Sequence, residues 1–162
     1  MSDKEQFSHI NDRGEALMVD VSGKTSTKRR ALASGRISMS PEAFALLLDN
    51  RIPKGDVFAA ARIAGIQAAK KTPELIPLCH LLLLESVTVD LIPDSKDNSV
   101  KVTCEVLLTG KTGAEMEALT GVSTALLTVY DMCKAIDKNM VISDILLEEK
   151  DGGKSGLYRR KK

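Results

Sequence analysis

Thirteen consecutive residues, Ala118 to Tyr130 (ALTGVSTALLTVY), carry no charge. They sit in a segment that opens after Gly113 and reads as one long helix to about Ile136, roughly 25 residues or 37 Å. A helix lying on the surface of a monomer keeps a charged outer stripe, so this run calls for burial on several sides. It falls short of the ~20 residues that span a bilayer, which leaves protein as its surroundings. The fold must wrap this rod, and a second copy of the chain is the expected source of part of the cover.

Charge returns at the two ends. Asp131 and Lys134 are three apart and share a helix face. Glu117, Thr124 and Asp131 are spaced by seven, with Thr120 and Lys134 near the same line, so a polar stripe runs along an apolar helix. Two readings of the pair stay open: an exposed ion pair at a helix end, or a tuned acid–base couple. Glu117 and Asp131 lie about 21 Å apart along the axis. One small ligand reaches both only when a second chain supplies one of them.

The remaining chain alternates strand and helix patterns. "LMVDVSG" (17–23) reads as a short strand and "RALASGRISM" (30–39) as another, across the basic loop "KTSTKRR". Ser40-Pro41-Glu42 is a helix start, with a helix expected over 41–50 and a second from residue 57 that stops before Pro73. "ELIPLCHLLLL" begins extended. "ESVTVDLI" and "VKVTCEVLL" alternate with period two and form a hairpin. Thr112-Gly113-Ala114-Glu115 fits a capping box for the long helix. "MVISDILLEE" is a last strand before a Gly-rich basic tail, 151–162, and residues 1–14 are expected to be mobile. With no repeat and no dividing linker, 1–162 is expected to form a single α+β domain, helices packed on one face of a mainly antiparallel sheet.

Composition removes several functions. The 23 basic and 22 acidic residues nearly cancel, and aromatics are 3% with no Trp, which argues against nucleic acid as partner. Three widely spaced cysteines and no apolar leader fit a soluble cytoplasmic protein. No CxxC or HxxxH exists, so no metal site is expected. Cys79 and His80 are neighbours that point opposite ways in an extended segment; His80 is either a substrate contact or a satisfied core histidine. "LTGKTG" and "DGGKSG" miss the phosphate-loop pattern, whose first Gly would fall on Glu105 or Glu148. Lys24, Arg29, Arg30, Lys54, Lys150 and Lys154 all lie near loops or element ends, and gathered together they would hold a highly anionic ligand. A nucleotide-binding regulator and, less well, an RNA-binding domain using "TKRR" and "YRRKK" are the rival readings.

At the level of whole strings the chain resembles the molybdenum cofactor biosynthesis protein C family, the cyclic pyranopterin monophosphate synthases. The strings are "MVDVSGK", Thr27, Arg29, Ala31, Ala33 and Gly35 in alternation, "KGDVFAAARIAGIQAAKK", "LIPLCH", "LTGKTGAEMEALTGVSTALLTVYDMCKAIDKNMVI" and "GGKSG". The resemblance implies a ferredoxin-like α+β fold and a lyase that turns (8S)-3′,8-cyclo-7,8-dihydroguanosine 5′-triphosphate into cyclic pyranopterin monophosphate and diphosphate. It implies a homohexamer, a trimer of dimers with interface active sites, and an upstream radical SAM enzyme that supplies the substrate. No cofactor is required by it, although Mg²⁺ on the substrate phosphates fits. The family's catalytic pair falls on Asp131 and Lys134. Its substrate-binding positions fall on Leu78, Cys79, His80, Met116, Glu117, Arg29, Lys54, Lys150 and Lys154. Two departures stand out: Leu81 where Pro commonly follows Cys-His, and Gly121 where Ala is common.

Overall fold

The computed structural model describes residues 13–161, so the segment expected to be mobile, 1–14, lies almost wholly outside the described residues. Alternation of small or apolar residues with polar ones makes β1 (Thr27–Ser38) the central strand. Ala31, Ala33, Gly35 and Ile37 turn to one face, where a Cβ on Gly35 would strike Leu126 and Val122 of a covering helix. The hairpin forms as its period predicts, β2 (Ser86–Asp94) against β3 (Ser99–Gly110), and β3 pairs along the whole of β1 from Thr27↔Gly110 to Ser38↔Ser99. Val100, Val102, Cys104, Val106 and Leu108 bury the inner face of β3 completely or nearly so. β4 (Val141–Asp151) takes the other side of β1, and its last residues pair with a two-residue β5 (Tyr158–Arg159).

The helices cover one face. Ser40 caps α1 (Pro41–Leu48), its hydroxyl accepting from the Ala43 N–H at 3.2 Å. Asp56 caps α2 (Val57–Lys70) in the same way at 2.9 Å. The long apolar rod is α4 (Glu115–Cys133). It lies on β1 and β3 with Ala118, Val122, Ala125, Leu126 and Val129 fully buried, while α2 crosses it on a second side. At that crossing a Cβ on Gly65 would sit 2.9 Å from the Gly121 carbonyl oxygen. Leu127, 59% exposed, marks the side left open. The element order βαββαβ and the strand order β2-β3-β1-β4-β5, antiparallel throughout, make this an α+β fold of ferredoxin-like arrangement. Among the described residues no helix is long and apolar enough to cross a membrane.

Three local expectations need correction. Residues 17–23 form no strand; their carbonyls accept instead from side chains, Val19 from His80 and Ser22 from Lys111. α2 does stop before Pro73, at Lys70, and Pro73 falls in the first turn of a separate four-residue helix, α3 (Thr72–Leu75), where no N–H is needed. Thr112 caps nothing. Ala114 holds the N-cap position without a side-chain bond, and the Glu115 carboxylate, folded against Gly113, is taken up by Lys150 (3.1 Å). The rod has 19 residues and ends at Cys133, where Lys134 to Ile136 tighten into a turn closed by the Ile136 N–H on the Cys133 carbonyl. The Gly-rich basic tail returns to the sheet as β5.

Candidate functional site

Functional side chains collect at the two ends of α4. At its C-terminal end Asp131 sits between two ammonium groups. Lys134 Nζ bonds Oδ1 at 2.7 Å, as the i, i+3 spacing requires, and Lys54 Nζ bonds Oδ2 at 2.7 Å and the Asp131 carbonyl at 3.0 Å. The turn Ile52–Gly55, closed by a Gly55 N–H to Ile52 O bond with Gly55 at φ +96°, delivers Lys54 just ahead of α2. Two charged donors pull the Asp131 carboxyl from its ordinary 3.8 down to about 2, Lys134 foremost and then Lys54. The same bond raises the Lys134 ammonium. The trio is about half exposed.

At the N-terminal end lies a cavity of about 320 Å³ lined by Leu78, Cys79, His80, Met116 and Glu117, closed over by Val19 and Val21. Glu117 is only 3% exposed and has no cationic partner among the described residues. Burial raises its carboxyl first, its own backbone N–H opposes, and the neighbouring Glu115 charge adds to the rise. Cys79 is raised by burial and by Glu117. His80 Nε2 lies 2.8 Å from the Val19 carbonyl, so that nitrogen carries a hydrogen and donates it.

A second cavity, about 640 Å³, adjoins the first through Lys24, Thr112 and Gly113. Lys24, Arg29, Lys111 and Lys154 line it together with glycines, threonines and Ser155, and among the described residues no carboxylate lines it. Arg29 donates from Nε to the Gly110 carbonyl and from Nη2 to Lys111, both at 3.2 Å, which fixes the turn into α4. Gly152 and Gly153, at φ +104° and +73°, lie against Lys28 and Arg29 so closely that a Cβ on either would collide with them. Here glycine is required twice over, by conformation and by space.

Of the residues singled out by sequence, Leu78, Cys79, His80, Met116 and Glu117 share the first cavity, and Arg29 and Lys154 the second. Lys150 stands beside them but is engaged by Glu115. Lys54 departs from the expected phosphate cluster and joins Asp131 and Lys134, with most of the length of α4 between. Lys24, counted among the loop cations that could gather on an anion, does line the second cavity, whereas Lys111 was passed over because its turn read as a helix cap. Its basic type at a Gly-rich turn was the available signal.

Comparison with known proteins bears on this arrangement. The family model described as MoaC family matches residues 18–153, which takes in the first cavity, the Asp131 trio and the second cavity apart from Lys154 and Ser155. The chain is 53% identical over 155 residues, 96% of its length, to the cyclic pyranopterin monophosphate synthase of Pelotomaculum thermopropionicum, covering 91% of that protein. It is equally similar to the proteins of the same name from two strains of Chloroflexus aurantiacus, covering 95% of each. With the match running through β1, α4 and β4 and the relatives aligned almost end to end, the chain belongs to the MoaC family.

Proposed function

We propose that the chain is a cyclic pyranopterin monophosphate synthase, a lyase of molybdenum cofactor biosynthesis. It rearranges the cyclised dihydro-GTP and releases diphosphate. The observation that carries this reading is the 53% identity, over 96% of the chain, to relatives of that name. The cavities support it with an apolar slot for the purine-derived rings beside a carboxylate-free cationic pocket for three phosphates. In this reading Leu78, Cys79, His80, Met116 and Glu117 hold the rings, and Lys24, Arg29, Lys111 and Lys154 the phosphates. A substrate hydroxyl takes the α-phosphorus to close the cyclic phosphate, and cations on the departing diphosphate lower the barrier because charge accumulates there as the α–β phosphoanhydride bond breaks.

Asp131 enters as a carboxylate, so its first act is to accept a proton, and the Lys134 ammonium beside it returns one. Lys54, shared with Asp131 at the start, turns to phosphate as substrate arrives and loosens its hold on the carboxylate. Because the trio and the cavities lie at opposite ends of α4, a complete site takes one end from each of two copies. A homohexamer built as a trimer of dimers provides three such pairs. The substrate comes from a radical SAM enzyme in the cytoplasm. Among the described residues the phosphate pocket offers no carboxylate to a resident metal, so Mg²⁺ would be held by the substrate's own phosphate oxygens.

Feeding the purified chain the cyclised dihydro-GTP and following diphosphate and oxidised pterin by mass spectrometry tests the reaction. Asp131→Asn should keep binding and lose turnover; substrate bound by folded wild-type chain but left unchanged would turn the assignment towards a regulator. Glu117→Gln and Asp131→Asn, each inactive alone, should recover about a quarter of wild-type activity when co-assembled, because half the dimers then hold one intact site.

A further inference from the structure

We infer that β5 is a positioning clasp, which closes the loop 151–157 so that Lys154 stands in the cationic cavity. The inference rests on the proposed reaction only in taking the ligand's polyphosphate as what the cavity holds. β5 lies beyond the residues that the family model matches.

A loop reading Asp151-Gly-Gly-Lys-Ser-Gly is costly to order, since glycine loses more backbone freedom than any other residue. Lys154 also faces three other cations, with no carboxylate in the cavity and no partner of its own among the described residues. Like charges and chain entropy both drive it outward. What opposes them is anchorage at the far end. Glu149 pairs with Arg159 and Lys150 with Tyr158, and the Arg160 N–H donates to the Glu148 carbonyl at 2.8 Å. Arg159 Nε reaches Glu149 Oε2 at 2.7 Å; the other oxygen of Glu149 takes Arg30 Nη1, and Arg30 Nε meets Glu105 at 2.6 Å. One line of alternating charge thus crosses β5, β4, β1 and β3. Within the loop the Gly156 N–H to Gly153 O bond (3.3 Å) and the Lys150 Nζ to Ser155 Oγ bond (3.3 Å) set the turn that carries Lys154.

The test measures binding of inorganic triphosphate by calorimetry to the full chain, at matched oligomeric state. Lys154→Ala should weaken binding about tenfold, the loss of one charge-assisted contact. Arg160→Pro removes the N–H that anchors β5 and should weaken binding nearly as much, while adding less than about twofold in the Lys154→Ala background. Amide exchange across 152–157 should rise in Arg160→Pro and stay unchanged in α4. Arg159→Glu, which sets like charges against Glu149, should repeat the pattern without a proline in the strand. Unchanged affinity in both strand variants, or an equal loss with and without Lys154, would overturn the clasp. Wild-type chain that binds triphosphate with this pattern but fails to turn over the cyclised dihydro-GTP would sink the reaction and leave the clasp standing. No binding by wild type overturns the clasp.

Discussion

Gly121→Ala is the substitution whose sign the structure decides against local propensity. Alanine in a helix interior is favoured over glycine by about 1 kcal/mol, so α4 alone would gain from it. The new Cβ, however, would lie 2.7 Å from Cys104 Sγ and 3.3 Å from the Gly65 carbonyl oxygen. The first contact is roughly 1 Å inside van der Waals separation. Cys104 has no exposed surface to retreat into, and the Gly65 oxygen is backbone of α2. Overpacking of this kind costs about 1–3 kcal/mol, which outweighs the propensity gain and leaves a net loss near 1 kcal/mol. For a chain of this size that lowers Tm by about 2–4 °C. In a Cys104→Ala background the sulfur is gone and only the 3.3 Å contact remains tight, so the same substitution should become neutral or stabilising. The assay is denaturant unfolding of the four chains at one protein concentration, and the expected coupling is about 1–3 kcal/mol. A Gly121→Ala chain stabilised equally in both backgrounds would refute the packing argument. The wedge also has a reach: α2 and α4 run antiparallel, so spreading their crossing should loosen Lys54 from Asp131.

Three further outcomes follow from the geometry. The Asp131 carboxyl should titrate near 2 by NMR and move up in Lys134→Met; its folded value lies below the ordinary 3.8, so the trio stabilises above that pH and its contribution is lost as pH falls through about 2. Ser40→Ala should cost about 1 kcal/mol in unfolding experiments, whereas Thr112→Ala should stay within about 0.5 kcal/mol, because Ser40 caps a helix and Thr112 does not. Gly153→Ala should place its Cβ on the Arg29 guanidinium and weaken triphosphate binding about tenfold by calorimetry, with α4 amide exchange unchanged.

Where one periodicity ruled a segment, the fold was legible. β1, β2 and β3 follow their alternation, and α1 and α2 follow Ser40 and Asp56. Residues 17–23 misled because Val19 and Val21 alternate as in a strand, yet face the cavity while side chains satisfy the backbone. Thr112 misled because a capping box is a local pattern, and the pull of Lys150 on Glu115 comes from 35 residues away. Of the site, the Asp131–Lys134 contact was readable from spacing alone. Lys54 was not: 77 residues separate it from Asp131, and only the βαββαβ order, which sets the start of α2 beside the end of α4, joins them.

α4 is also a gauge of length. Its 19 residues set about 28 Å between the cavity end and the Asp131 end. One inserted residue would advance the far end by about 1.5 Å and rotate it by about 100°, turning Asp131 away from Lys54. Point changes along this rod can be absorbed by neighbours, but a change of register cannot. Over evolutionary time, gain and loss of residues should therefore collect in places such as the β2–β3 turn at 95–98, while the span from Glu115 to Cys133 keeps its length even as its letters drift.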